Sequence, residues 1–520
     1  MFTFTQVEET RPMPSLLGID NGLTVTKAVI FDESGAVLAV ARRRVAQSMP
    51  APRFVERDMA GLWQATAAAI AEAITLSGRP ASDIRGVAAT AHGDGLYLLD
   101  HDQRPLGPGI LSLDSRAAEV VAQWQADGTA DRALARTGQV PHASAPSALL
   151  GWIRRHDPDR FARIGHVIAC KDWLRFCLTG TIGTDLTEAS TSFTDVESQG
   201  YAPDILPLFG LGDLAHALPP VSAPDAVVGH VTTEAAARTG LAVGTPVVAG
   251  LHDVTASALG IGGHRKGTVA IVAGTYSINE TVSFAPKVDA RWFCRNGIRA
   301  GEWNSMAISP ASATNYDWFL DNLMGNDRAE AEAAGQSIHT RIAPEIDAAL
   351  ARPSTLLFHP YLFGSPHGAM ASAGFLGLRG WHGRGDLLRA VLEGIAFNHR
   401  VHVDALRDGF APDEARLTGG ISRNPAFARL FADVLGMPVT VSATEEAAAW
   451  GAALCAGAGV GLFASPRHDP RDLAALDQVF TPDPVRSAEM QDRYALHCEV
   501  SAQLAPLWPR IEGLAQGRQP

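Results

Sequence analysis

Leu17-Gly18-Ile19-Asp20-Asn21-Gly22-Leu23-Thr24-Val25-Thr26-Lys27 leads straight into the apolar run Ala28-Val29-Ile30-Phe31, which stops at Asp32. An apolar strand, a turn holding Gly22 with hydroxyls at Thr24 and Thr26, and a second apolar strand read as a hairpin whose turn presents backbone N–H groups to an anion. The second half of the chain holds a segment of the same build, Gly267-Thr268 followed by Val269-Ala270-Ile271-Val272-Ala273 and the turn Gly274-Thr275-Tyr276-Ser277. Two such turns predict a duplicated domain that closes on a nucleotide from both sides.

Working outward from the first hairpin, residues 37–44 suit a third strand. Residues 58–77 suit a helix with Leu62, Ala65, Ala69, Ile70 and Ala73 at helical spacing. Residues 86–90 make a short buried strand running into His92-Gly93-Asp94-Gly95, after which residues 96–100 return as another. The β-β-β-α-β order predicts a mixed sheet covered by helices. The pattern restarts with a strand at 247–250, a short helix at 254–259 and strands on either side of Gly274. A long helix at 387–406, a strand at 415–418, the turn Gly419-Gly420-Ile421-Ser422-Arg423-Asn424 and a helix at 427–435 follow. The domain boundary is expected within 245–251.

Composition narrows the class. The chain has 520 residues, 46% of them hydrophobic, enough for two to four domains with ample cores. A formal net charge of -12 disfavours a non-specific nucleic-acid surface. No apolar run reaches the roughly 18 residues of a membrane span. The first fifteen residues are polar, carry Pro12 and Pro14, and lack the basic-then-apolar order of a signal peptide, so they read as a frayed arm. Cys170, Cys177, Cys294, Cys455 and Cys498 are odd in number and never spaced C-x-x-C, as expected of reduced thiols in a cytoplasm.

Seven elements in order carry a resemblance. They are Gly18-Ile19-Asp20-x-Gly22, Asp114-Ser115-Arg116-Ala117, Thr184-Asp185 with Ala189-Ser190, Gly250-Leu251-His252-Asp253, Gly274-Thr275, Gly419-Gly420 and Gly451-Ala452-Ala453. Together, over residues 16–465, they resemble the FGGY carbohydrate kinases. The phrases at 90–100 and 109–117 look most like L-xylulose or 3-keto-L-gulonate kinases and erythritol kinases. The resemblance implies an α/β protein of two ribonuclease-H-like domains, of the actin, Hsp70 and sugar-kinase superfamily, with an interdomain cleft. On that pattern residues 1–15 are a disordered arm, 16–248 the N-terminal domain for sugar and phosphate, 249–465 the C-terminal domain for nucleotide and catalytic base, and 466–520 a helical extension. It implies ATP and Mg²⁺ as cofactors and a ketopentose or short polyol as acceptor, with no nucleic-acid or membrane partner, and it leaves a homodimer open.

Phosphoryl transfer needs anion-binding turns, a magnesium ion and a base beside the attacking hydroxyl. Asp20, ending the first strand, is the expected Mg²⁺ carboxylate; stabilising the turn is the alternative role. Asn21, Gly22, Thr24 and Thr26 are the expected phosphate contacts of the first turn. Leu23 stands where the resembled family usually has Thr, removing one hydroxyl. Asp253, between an apolar strand and a helix, is the expected general base, a role compatible with capping that helix. His252 reads as structural. His92, Gly93, Asp94, Asp114, Arg116 and Asp253 are the expected sugar contacts, because polyols need donors and acceptors fixed at several hydroxyls. His92 replaces a glutamine frequent in the family, and Glu56 either reaches the sugar or starts a helix. Gly274 and Thr275 are expected at the β or γ phosphate, and Gly419, Gly420, Ser422 and Asn424 at the adenosine end. Glu445 and Glu446 read simply as the start of a small-residue helix packed on the nucleotide turn.

Two other classes fit less well. A non-catalytic ATP-dependent switch of the actin or Hsp70 type would need a peptide-binding domain after residue 465. A Rossmann dehydrogenase would need G-x-G-x-x-G leading into a helix.

Overall fold

The computed structural model describes residues 14–516 apart from residue 369. The arm expected over residues 1–15 therefore lies almost wholly outside the described residues, and Ser15 already opens a strand. The chain divides into two compact units. One is Met1–Gly260 with Asn296–Gly301 and Glu446–Asp472; the other is Ile261–Arg295 with Glu302–Glu445 and Leu473–Pro520.

In the first unit, β1 (Ser15–Asn21) and β2 (Val25–Asp32) form the expected hairpin, with Asp20 opposite Lys27 and Asn21 opposite Thr26. β3 (Val37–Arg44) adds to β2. After helix Met59–Ser77, capped by Asp58 and ended by a left-handed Gly78, the chain returns as β4 (Ile84–Ala91), parallel to β1. β5 (Val227–His230) and β6 (Pro246–Val248) complete the order β5-β6-β4-β1-β2-β3, and the two-residue β7 (Leu251–His252) pairs beside β4.

β1 is apolar on both faces because both faces are covered. Leu17 and Ile19 share a core with Leu62 and Ile70 of helix Met59–Ser77. Leu16 shares the opposite core with Ala453 and Phe463. There helix Ala447–Gly459 lies so close that a Cβ at Gly18 would stand 2.1 Å from the Ala449 carbonyl oxygen, an approach only glycine permits.

In the second unit, β8 (Thr268–Ala273), β9 (Ser277–Ser283), β10 (Phe293–Asn296), β11 (Trp303–Ser309), β12 (Glu414–Thr418), β13 (Val439–Val441) and β14 (Gln478–Phe480) run in the order β10-β11-β9-β8-β12-β13-β14. The run β11-β9-β8-β12-β13 repeats β3-β2-β1-β4-β6 strand for strand, two antiparallel pairings followed by two parallel ones. This is the duplication foreshadowed by the paired turns. The long helix is Arg384–Phe410, longer at both ends than its apolar pattern predicts.

Two divisions differ from the sequence expectation. The first unit runs past residue 248 to Gly260, carrying Asp253 with it, because β7 hydrogen-bonds to β4. It also takes back Glu446–Asp472, since the small residues of helix Ala447–Gly459 suit it to β1 and to helix Asp253–Gly260, not to the Gly419 turn. The last stretch is not a helical extension alone: β14 joins the second sheet before helix Pro484–Leu504.

Candidate active site

Three parallel strands of the first unit end level with one another. Asp20 lies opposite Thr90, Asn21 opposite Ala91, and His252 opposite Ala91 on the other side of β4. The segments leaving β1, β4 and β7 therefore open at one sheet edge, the carboxyl ends of parallel strands where open α/β sheets bind ligands. Asp20, the turn at His92 and Asp253 are brought to that edge by register alone.

At the end of β1, the Asp20 carboxylate lies 3.5 Å from Lys27 Nζ and keeps 17% of its surface exposed. Burial raises its pKa above the ordinary carboxylate value, against the pull of Lys27. Lys27 also donates to Glu446 at 3.0 Å, and Arg42 pairs with the same carboxylate. Burial alone would lower the Lys27 ammonium, but the charges of Asp20 and Glu446 outweigh it and raise its pKa. Glu446 thus belongs to this site, although it reads in sequence only as a helix start. Its neighbours stand more than four hundred residues away, and no local signal points to them.

The turn itself is braced from behind. Gly22 N–H donates to Val25 O at 2.9 Å, the Arg57 guanidinium holds the carbonyls of Gly22 and Leu23, and Leu23 packs on the core. Thr24 is exposed on the turn. Asn21 and Thr26 point inward: the Asn21 amide donates to Cys170 Sγ at 3.0 Å, and Thr26 Oγ1 pairs with Thr66 Oγ1 at 3.2 Å. Their side chains serve the core, which follows from alternation along a strand buried on both faces.

After β4, His92 is buried, with Nε2 3.5 Å from the Tyr97 hydroxyl. Burial, with the charge of Arg57, lowers its pKa to about 3, so the imidazole is neutral and able to donate and accept. Asp94 adopts a left-handed backbone (φ 57°) and lies 3.6 Å from His142 Nε2. His142, whose Nδ1 is 3.2 Å from Ser144 Oγ, joins the site without having been singled out by any sequence motif. Asp94 and Gly95 line a cavity of about 40 Å³ with Asp172, Thr184, Glu188 and Tyr201.

Asp253 begins helix Asp253–Gly260, where its Oδ1 accepts from Val254 N–H at 2.7 Å and lies 3.3 Å from His252 Nδ1. Its side chain is 29% exposed. A partly exposed carboxylate at a helix N-terminus lies where the helix dipole favours negative charge. His252 is buried, as its structural reading requires.

Asp114 and Arg116 do not form an open sugar grip. Asp114 accepts from Val55 N–H at 2.7 Å and from Arg116 N–H at 2.9 Å, and pairs with the Arg116 guanidinium at 2.7 Å. Arg116 also donates to Glu56 at 2.7 Å and stacks 3.9 Å from the Phe54 ring. Both side chains are almost fully buried, so the pair is a closed structural network that also absorbs Glu56.

In the second unit, Val272 pairs with Thr418, so the turns Gly274-Thr275 and Gly419-Gly420 leave neighbouring parallel strands at one edge. Thr275 is exposed there. Ser422 Oγ donates to Gly419 O at 2.7 Å, and Asn424 Oδ1 accepts from Ala426 N–H at 2.9 Å, so these side chains close the turn and cap helix Pro425–Leu435.

Residues 15–260 match the N-terminal domain, and residues 269–460 the C-terminal domain, of the FGGY family of carbohydrate kinases. The chain is 34% identical over 505 residues to the L-xylulose/3-keto-L-gulonate kinase of Escherichia coli K12, covering 95% of this chain and 98% of that one. It is 29% identical over 515 residues to the erythritol kinase of Brucella abortus, covering 95% and 97%. Among solved structures it is similar to the xylulose kinase from Rhodospirillum rubrum, with a TM-score of 0.81 and 30% identity over 95% of this chain and 99% of that one. The two mixed α/β units are thus those of a two-domain sugar kinase of the actin and Hsp70-like superfamily.

Proposed function

Because the chain belongs to the FGGY family of carbohydrate kinases and moves the γ-phosphoryl group of ATP to a sugar, we propose that Asp253 is the base for a ketopentose or short-polyol hydroxyl. One observation carries the assignment of roles: strand register brings Asp253, His92, Asp94 and Asp20 to the same sheet edge.

In this reading Asp253 accepts the hydroxyl proton as phosphorus–oxygen bond formation proceeds, its negative charge favoured by the helix N-terminus. His92, as a neutral imidazole, Gly93 through its backbone, and Asp94 bind hydroxyls of the acceptor, the cavity beyond Asp94 taking its far end. That cavity has carboxylates and hydroxyls but no Lys or Arg in its lining, which suits a neutral polyhydroxylated chain. The relatives named for L-xylulose, 3-keto-L-gulonate and erythritol support the same class. Asp114 and Arg116 act from behind, by holding Val55 and Glu56.

Gly22 and Thr24 in the first unit, and Gly274, Thr275, Gly419 and Gly420 in the second, bind ATP. Asn21, Thr26, Ser422 and Asn424 contribute backbone only. Mg²⁺ suits Asp20. Among the described residues no cluster of three or more metal-ligating side chains exists, and a single part-exposed carboxylate fits an ion that keeps most of its waters and binds phosphate oxygens. When bound, the ion neutralises charge on those oxygens.

We place the enzyme in the cytoplasm; all five cysteines are free, and no described helix is long and apolar enough to cross a membrane. ADP release over a panel of ketopentoses, tetritols, glycerol and sugar acids tests the reading. Turnover should depend on the sugar and be highest with a ketopentose or tetritol. ATP hydrolysis indifferent to every sugar would instead identify a switch ATPase.

A further inference from the structure

The segment that delivers Asp253 is too short to hold itself. β7 is two residues long, and it follows Gly250, whose φ of 74° turns the chain between β6 and β7. What holds it are side chains from elsewhere in the first unit. Thr90 Oγ1 donates to Leu251 O at 2.7 Å, and His252 N–H donates to Thr187 Oγ1 at 2.9 Å. The same Thr187 hydroxyl donates to Asp185 Oδ2 at 2.6 Å. One proton and one acceptor direction are thereby both committed, which fixes the hydroxyl's rotor. Asp185 Oδ1 is in turn 2.9 Å from Lys171 Nζ, and that fully buried ammonium also donates to Asp172 Oδ1 at 2.6 Å and to Ala249 O at 3.4 Å. Lys171 thus grips the start of the segment directly and its end through Asp185 and Thr187.

We propose that Thr187, backed by Asp185 and Lys171, is a positioning residue for the phosphoryl-transfer step: its hydroxyl sets the backbone of His252 and hence the carboxylate of Asp253. A buried ion pair with its hydrogen bonds complete is expensive to assemble and rigid once made, which suits holding a base rather than adding stability. Small displacements of a reacting group cost rate far more than they cost binding. This inference rests on Asp253 being the base.

Thr187→Val keeps the shape and removes the hydroxyl; Thr187→Ser keeps the hydroxyl. Valine should lower kcat about ten-fold or more with KM for ATP and sugar within about two-fold, and serine should restore most of the loss. Thr187→Ala provides the same deletion if the valine variant does not fold, as judged by its thermal unfolding. In an Asp253→Asn background, Thr187→Val should change kcat little further, because there is no base left to misplace. A full, additive loss in that background, or no rescue by serine, would reduce Thr187 to a fold element. Normal kcat in both deletions, with Asp253→Asn inactive, would overturn the positioning role alone. An active Asp253→Asn would overturn the base assignment beneath it.

Discussion

The imidazole of His252 lies directly over the α-carbon of Gly93: a Cβ built there would fall 1.7 Å from His252 Nε2. The turn that presents His92 and Asp94 and the strand that leads to Asp253 are therefore packed through a residue with no side chain. Spacing between the proposed sugar contacts and the proposed base is set at this point, where even one added methyl group would overlap the imidazole.

Gly93→Ala forces the His252 ring or the turn to move, because histidine in a packed core has no spare volume to retreat into. kcat/KM for the sugar should fall at least ten-fold, with loss of about 1–3 kcal/mol of stability from overpacking. Steady-state kinetics together with thermal unfolding check it; a variant with wild-type kcat/KM would show that the spacing is not critical.

Asp253→Asn keeps a side chain able to accept from Val254 N–H, so the helix start should survive. kcat should drop by at least about 10², the usual contribution of a general base, while ATP affinity stays near wild type. Single-turnover measurement with ATP and saturating sugar separates the chemical step from product release.

Asp20→Ala removes the carboxylate next to Lys27 and leaves that ammonium paired with Glu446. The Mg²⁺ concentration for half-maximal rate should rise and kcat should fall. Titrating Mg²⁺ at fixed ATP decides between this and a purely structural Asp20, for which the Mg²⁺ dependence would be unchanged.

Asp114→Ala is expected to act on stability before sugar affinity. It leaves Arg116 buried with only Glu56 as a charged partner and strips Val55 N–H of its acceptor, a loss of about 3 kcal/mol on the scale of broken buried ion pairs. Denaturant unfolding measures it. A stable variant with sharply weakened sugar binding would return Asp114 to direct contact.

Acid sensitivity should arise in the second unit as well as at His92 in the first. Burial, with the charge of His367, lowers the His402 pKa to about 4, and His399 and His497 are pushed down by burial too. Each stays neutral in the folded chain while its unfolded form takes a proton near pH 6.5. The stability each provides is whole above pH 6.5 and is lost as pH falls toward the folded value, at up to about 1.4 kcal/mol per pH unit for each. His402→Gln, which retains a partner for Ser309, should flatten the decline between pH 6.5 and 4 relative to wild type. Unfolding free energies at pH 7, 6, 5 and 4.5 for both proteins test the sign; parallel curves would remove His402 as a contributor.

The sequence by itself determined the β-β-β-α-β order of the first unit, the two glycine turns and the placing of Asp20, His92 and Asp253 at the ends of strands. All of these depend on local alternation, turn residues and helix starts, which neighbours in the chain encode. Only the tertiary structure decided that Glu446 reaches Lys27, that Thr187 holds His252, that Asp114 and Arg116 are sealed with Glu56, and that residues 446–472 return to the first unit. Those contacts join residues brought close by sheet register and by helix packing against Gly18. A carboxylate, a lysine or a threonine reads the same in a sequence whether solvent or a buried partner awaits it; its environment exists only once distant strands have paired.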